Sequence, residues 1–363
     1  MAETNWKSLT IGKTGPFPAT NETEDRVKRF SGHLILVLVV LALGAAAGCG
    51  GSQSTAPPPP TVGKLYVSNS ITSTILRFNA GDSGNVTPLA QAQLSPSVLG
   101  RFSIDVPHDR LAALSVTASP ILLFDNVSTS LFSVRAIDGA ATTLTAPAEI
   151  ALDGPHDLLY ATNGPSSILV FGPASTITGN VAPLRTITMG FTMGGIAVDT
   201  ANDRLFVSDA TFGAGALKIF DGASTLNGSV LPNRVISGAA TQIATPQMLL
   251  LDSSGRLIVW NHVSFTPLNE NILIFAGAAA ANGNVAPAAT VILSDSPQAQ
   301  QWAVSPTGDL YVTNLNPSLP VYNIATASGR ITPIRTIAGP NTGLNGVPGS
   351  GGGAEAIALD PTR

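Results

Sequence analysis

Residues 150–187 read IALDGPHDLLYATNGPSSILVFGPASTITGNVAPLRTI, in which four short apolar runs (IALD, LLYATN, ILVF, PLRTI) are separated by turn residues. The same frame returns at 196–236 (IAVD, RLFVSD, LKIF, NGSVLPNRVI), at 249–292 (LLLD, RLIVWN, ILIF, NGNVAPAATVI) and at 302–337 (WAVS, DLYVTN, LPVYNI, SGRITPIRTI). A weaker copy runs from Phe102 to Ile137, and an opening copy (KLYVSN, ILRF, GNVTPL) starts at Lys64 without a first run of its own. The missing run stands at the other end of the chain, as Ala356-Ile-Ala-Leu-Asp360. One such unit cannot bury its apolar faces alone, whereas units side by side share a continuous core. Four strand-length runs per period of about 50 residues therefore specify a ring of blades: an all-β, six-bladed β-propeller of four-stranded antiparallel blades. Pairing of the C-terminal run with the first blade closes the ring.

Each run has a physical role. Run A (IALD, IAVD, LLLD) is almost wholly apolar and suits the innermost strand, covered on both faces. Run B (LLYATN, RLFVSD, DLYVTN) alternates more, and run C (ILVF, LKIF, ILIF) ends in an aromatic residue that packs against the next blade. Run D carries Pro88, Pro183, Pro232, Pro287 or Pro333, and a residue without an N–H belongs at an outer edge. Gly84-Asn85, Gly179-Asn180 and Gly283-Asn284, with Gly228-Ser229 and Gly329-Arg330, supply the positive φ that tight C–D turns need. No helical periodicity extends beyond a few turns, so helices are expected to be minor.

The pattern resembles NHL-repeat β-propellers, whose frame is G-[IV]-A-V-D, then [LI]-[YF]-V-[AST]-[DN], then [IV]-x-[VI]-F. The copy nearest to it is Gly195-Ile-Ala-Val-Asp199, Arg204-Leu-Phe-Val-Ser-Asp209 and Leu217-Lys-Ile-Phe220. The resemblance covers residues 62–363 and implies the fold; the family includes scaffolds, receptor ectodomains and lyases, so it does not imply one activity. The second copy departs furthest, with Ala112 and Ser115 in place of the aromatic and Asn/Asp positions and no Gly-Asn-Val turn.

Residues 1–48 read as an export signal. His33–Gly48 (HLILVLVVLALGAAAG) is an apolar run preceded by Arg26, Lys28 and Arg29, too short for an ordinary spanning helix. Ala46-Ala47-Gly48 before Cys49 resembles the lipobox of bacterial lipoproteins, with Ala46 where Leu is usual. That resemblance implies acylation of Cys49 and a protein anchored by lipid to a bacterial membrane, at the outer membrane or cell surface. Two or three acyl chains make such an anchor persistent, since each buried methylene contributes about 0.8 kcal/mol. A start near Val27 would make the leader compact. Residues 49–61 then form a tether, slack in its Gly and Ser and stiffened by Pro57–Pro60.

Composition narrows the function. Beyond residue 48 the chain carries 13 Lys+Arg against 18 Asp+Glu, a net charge of −5, so no basic stripe is available for nucleic acid. Cys49 is the only cysteine, which removes disulfides and cysteine metal clusters. A zinc site of the usual histidine and cysteine type lacks ligands, because His262 is the only histidine outside the leader and the two PHD turns. No cofactor is expected, although oxygen ligands alone would suffice for Ca²⁺, as in gluconolactonase-type propellers.

Repetition separates structure from chemistry. Asp105, Asp153, Asp199, Asp252 and Asp360 recur at the end of run A, and Asn69, Asn163, Asp209, Asn261 and Asn314 at the end of run B. A group needed once for catalysis need not recur five times, so these read as Asx turns. His108-Asp109 and His156-Asp157 occupy one common A–B turn and read as turn residues. The positions that break the repeat are the binding candidates. Arg101, Glu149 and Gln301 stand at the start of run A, where other copies have Gly195, Met248 and Ala356. The B–C loop of the fifth copy, 261–271, is the longest of its type and carries His262, Phe265 and Glu270. The sequence thus supports a non-catalytic propeller that binds a protein, peptide or glycan; the alternative is a divalent-cation-dependent lactonase- or lyase-type enzyme.

Overall fold

In the computed structural model the described residues belong to one compact unit within 56–363. Residues 63–94, 99–115, 121–131, 134–265, 268–294, 299–345 and 353–363 are described; the expected leader, Cys49 and the whole of the tether lie outside them. Among the described residues no helix is long and apolar enough to cross a membrane, and helix is confined to three single 3₁₀ turns.

Six sheets surround an axis, one for each sequence copy. In the third blade the strands run from Ile150–Asp153 on the inside through Leu158–Asn163 and Ser167–Phe171 to Arg185–Thr188 outside, all antiparallel. The first blade takes its inner strand from Ala354–Asp360, which pairs with Lys64–Asn69 in the register Lys64↔Asp360, Leu65↔Leu359, Tyr66↔Ala358, Val67↔Ile357. Ring closure by the chain's last segment is thus observed. The apolar side chains gather into six clusters, each between two neighbouring blades: Leu65, Val67 and Phe78 of the first meet Tyr311, Leu319 and Val321 of the sixth. Period-2 alternation sends one face of every strand to the blade before and the other to the blade after. No blade can be removed without opening two clusters.

The prolines of run D lie just outside their strands. Outer strands begin at Ala90, Arg185, Arg234, Ala289 and Arg335, two residues after each proline. Hydrogen bonding to the neighbouring strand starts one residue after it, with Leu89, Leu184, Asn233, Ala288 and Ile334 each donating an N–H. A residue without an N–H fits immediately before the ladder, not within it.

Two sheets gain a fifth strand beyond the four of their own blade. The extra strands are Gly228–Ser229 and Gly329–Ile331, the C–D turns of the fourth and sixth blades, paired in parallel with the outer strands of the blades before them. Single bridges Gly84↔Ile337, Ile137↔Gly179 and Ile236↔Gly283 repeat the contact at three further junctions. The glycines have the positive φ expected of tight turns, from 67° to 81°. Each turn also latches its blade to the preceding one. Among the described residues the junction from first to second blade shows no such pairing, and the second copy is the one without a glycine in its C–D turn.

The latches alternate. Asn85, Asn180 and Asn284 accept N–H groups from Asn341, Ala141 and Ala240, all at 2.7 Å, in turns reading GPNT, GAAT and GAAT. These belong to blades one, three and five, docked on six, two and four. The molecule is therefore built from three blade pairs, a doubling of the period that the shorter repeat conceals.

Candidate functional site

The inner strands enclose a channel of about 360 Å³. At the end where run A begins, Arg101 donates through Nε to Glu149 Oε1 at 2.8 Å, and its Nη1 bonds the Gly100 carbonyl at 2.7 Å. Glu355, one residue before run A of the closing strand, shares this mouth. Burial pushes its carboxyl above the usual range, against the pull of Arg101 and a hydrogen bond from Ser70. Gln301 has another task. Its Oε1 accepts from the N–H groups of Phe102 (2.9 Å) and Ile357 (3.0 Å), and its Nε2 donates to the Phe102 carbonyl at 2.6 Å. These bonds satisfy channel-facing backbone that no further strand can reach. Gly195, in the same column, is small for packing: a Cβ there would lie 2.5 Å from the Gln247 carbonyl oxygen.

The long B–C connection of the fifth copy is not a loop. Its flanks are strands, Leu257–Phe265 and Leu268–Phe275, paired as Asn261↔Asn271, His262↔Glu270, Ser264↔Asn269 and Phe265↔Leu268, with a bulge between His262 and Ser264. At nine and eight residues they exceed the corresponding strands of the other blades as far as the described residues run. His262 Nε2 meets Glu270 Oε1 at 3.1 Å, and the imidazole sits edge-on to Trp260 with ring centroids 5.0 Å apart. Trp260 in turn lies against Trp302 of the sixth blade, centroids 5.6 Å apart at 35°.

A cleft of about 270 Å³ opens between these two blades, lined by Trp260, Trp302, Glu270, Asn271, Ser294 and Arg330, among others. Two of its lining groups are buried and have no partner among the described residues: the indole N–H of Trp302 and the hydroxyl of Ser294. Buried donors are almost always paired in proteins, so such groups mark a place where another molecule can bond. Indole faces beside a carboxylate, carboxamides and a guanidinium suit a small polar group with one apolar face.

The candidates from the sequence thus fall into two groups, Arg101 with Glu149 and Gln301 at the channel mouth, and His262 with Glu270 on the extended hairpin. Phe265 pairs with Leu268 at the hairpin's end through its backbone. Glu355, Trp260 and Trp302 were missed. For Trp260 the signal was present. The penultimate position of run B holds Ser68, Thr162, Ser208 and Thr313, whose hydroxyls bond the backbone at the start of the inner strands. Trp260 occupies that column in RLIVWN and replaces a structural hydroxyl with an aromatic ring.

No protein-family profile and no curated protein matches the sequence. Two solved structures are similar in fold. One is a chain from the crystal structure of a nidogen/laminin complex: TM-score 0.55, 14% identity, covering 82% of this chain and 98% of that one. The other is a protein of unknown function from Bacteroides caccae: TM-score 0.50, 11% identity, covering 82% and 99%. The shared property is the propeller fold.

Proposed function

We propose that this protein is a non-catalytic binding propeller, NHL-like in its repeat, held on the outside of a bacterial cell by a lipid on Cys49. Its partner is a glycan or peptide that places a polar group in the cleft between the fifth and sixth blades. The observation that carries this reading is the local break in the repeat. Only the fifth blade has tryptophan in place of a small or aliphatic residue at the penultimate position of run B, among the described residues it is the blade with the extended B–C hairpin, and both changes border one cleft. Ile71, Phe212 and Val263, exposed on the B–C connections of three blades, give the same face scattered apolar contact surface. At the channel mouth the Arg101 guanidinium already neutralises Glu149, which favours a structural ion pair there over a Ca²⁺ site.

The test is a screen of the full chain against immobilised glycans and peptides, repeated with Glu270→Ala and His262→Asn. Binding weakened tenfold or more by Glu270→Ala, and less by His262→Asn, which only positions the carboxylate, supports the proposal. Unchanged binding in both variants would remove the cleft from the interaction. Metal-dependent turnover of a lactone that is lost in Glu149→Gln would replace the proposal with the enzymatic alternative.

A further inference from the structure

On the face opposite the extended hairpin, the A–B turns of neighbouring blades bring carboxylates together in pairs. The Asp that ends run A of one blade approaches the Asp that precedes run B of the next. Where the first blade meets the second, the pair is Asp360 and Asp109, and Arg363 stands between them, bonded to Asp109 and 3.5 Å from Asp360. Where the second meets the third, the pair is Asp105 and Asp157, and the Arg110 guanidinium lies 3.9 Å from one and 3.6 Å from the other. Each pair thus holds a fixed cation.

The junction of the third and fourth blades has the carboxylates without the guanidinium. Asp153 and Asp203 meet there, Leu158 stands where the second blade has Arg110, and His156 stands where the closing segment has Arg363. No arginine or lysine among the described residues forms an ion pair with either carboxylate. His156 Nδ1 lies 3.1 and 3.0 Å from the two Asp153 oxygens, and one ligand atom from each of Asp153, His156 and Asp203 falls within 4.8 Å of the others. Asp153 is fully buried. Asp203 is oriented from behind, its two oxygens accepting the N–H and hydroxyl of Ser224 at 2.7 Å each, which leaves lone pairs on both oxygens.

We propose that Asp153, His156 and Asp203 form a divalent transition-metal site that staples the third blade to the fourth, with Zn²⁺ as its simplest occupant. One imidazole and two carboxylates are ordinary zinc ligands, and a tetrahedral ion with bonds of about 2.0–2.1 Å sets its ligand atoms roughly 3.3 Å apart. His156 Nδ1 stands slightly nearer than that to the Asp153 oxygens, and all three ligand atoms lie within 4.8 Å of one another, so small side-chain shifts suffice. Water completes the shell. The ion takes the place that a guanidinium holds at the two preceding junctions. Histidines and cysteines alone are too few for zinc in this sequence; the fold supplies the second carboxylate from the next blade.

The experiment is calorimetric titration of the full chain, purified in detergent and freed of metal, with ZnCl₂, together with thermal melts. One Zn²⁺ per chain is expected, raising Tm by about 4 °C at a free concentration one hundred times Kd. His156→Asn, which copies the Asn202 of the following blade, should weaken binding tenfold or more. Leu158→Arg, which installs the guanidinium of the preceding blade, should abolish binding and keep the metal-free melt at or above that of wild type. Failure of Leu158→Arg to fold leaves His156→Asn as the deciding variant. No stoichiometric Zn²⁺ binding by wild type, or binding that His156→Asn leaves unchanged, would overturn the proposal.

Discussion

Removing residues 354–363 takes away the strand that joins the two ends of the ring. Ile357 and Leu359 are almost wholly buried against Leu65, Val67 and Tyr311, and Ala354, Ala356 and Ala358 are buried beside them. At about 1.5–3 kcal/mol for each large side chain and about 0.8 kcal/mol for each methyl, the loss is roughly 5–8 kcal/mol before hydrogen bonds are counted. A domain's whole stability is about 5–15 kcal/mol. Unfolding entropy of about 2.1 cal/mol/K per residue converts each kcal/mol into about 1.5 °C for a domain of this size. The truncated chain should therefore melt about 8–12 °C lower or lose its cooperative transition. Ile357→Ala alone should cost about 2–4 kcal/mol, or about 3–6 °C. The assay is calorimetric melting of full-length and truncated chains, followed by addition of a peptide spanning 354–363, which should restore part of the lost Tm. A truncated chain that melts like the intact one would refute the reasoning, because the ring would then be held by the four clusters to which this strand does not contribute.

Cys49→Ser should shift the protein from the membrane to the soluble fraction or leave an unprocessed precursor; an intact mass showing an unmodified Cys49 would contradict the lipid anchor. Gly195→Ala should destabilise by about 1–3 kcal/mol, because the new methyl meets the backbone of the next blade. Gly179→Ala, with open space around it and φ of 81°, should cost only the left-handed strain of about 1–2 kcal/mol. Paired melts in which Gly179→Ala is clearly the worse would invert that argument. Asp221 is held at a pKa of about 2 by hydrogen bonds from Arg234 and Arg204. A carboxyl depressed on folding stabilises above its unfolded value near 3.8 and loses that contribution as pH falls toward 2. Asp221→Asn should therefore flatten the acid limb of a stability-versus-pH curve, by less than about 1 kcal/mol because solvent screens this exposed fork; an acid limb as steep as wild type would discount the fork.

How much was legible depends on whether the determining contacts are local in the repeat. Blade number, strand order and ring closure could be read because run A is missing at Lys64 and present at Ala356, and because every blade must bury both faces against copies of itself. The Asp residues that end run A were legible as turn formers for the same reason: Asp199, Asp252 and Asp360 each accept a backbone N–H two or three residues on. The site was only half legible. His262 and Glu270 could be singled out as repeat breakers, and they pair because a hairpin places residues eight apart opposite each other.

What only the tertiary structure decided is what crosses a blade junction. Trp302 meets Trp260 across 42 positions of sequence, Glu355 shares a mouth with Arg101, and Asp203 reaches Asp153 from the next blade. Gln301 looked like a ligand contact and instead bonds the backbone of two other blades. The physical reason is the same in each case. A repeat fixes the strand that every residue belongs to and the face it occupies, but the partner on that face belongs to another blade. The distance and angle of that contact depend on how the two sheets pack, and this is set by all six interfaces together as the ring closes.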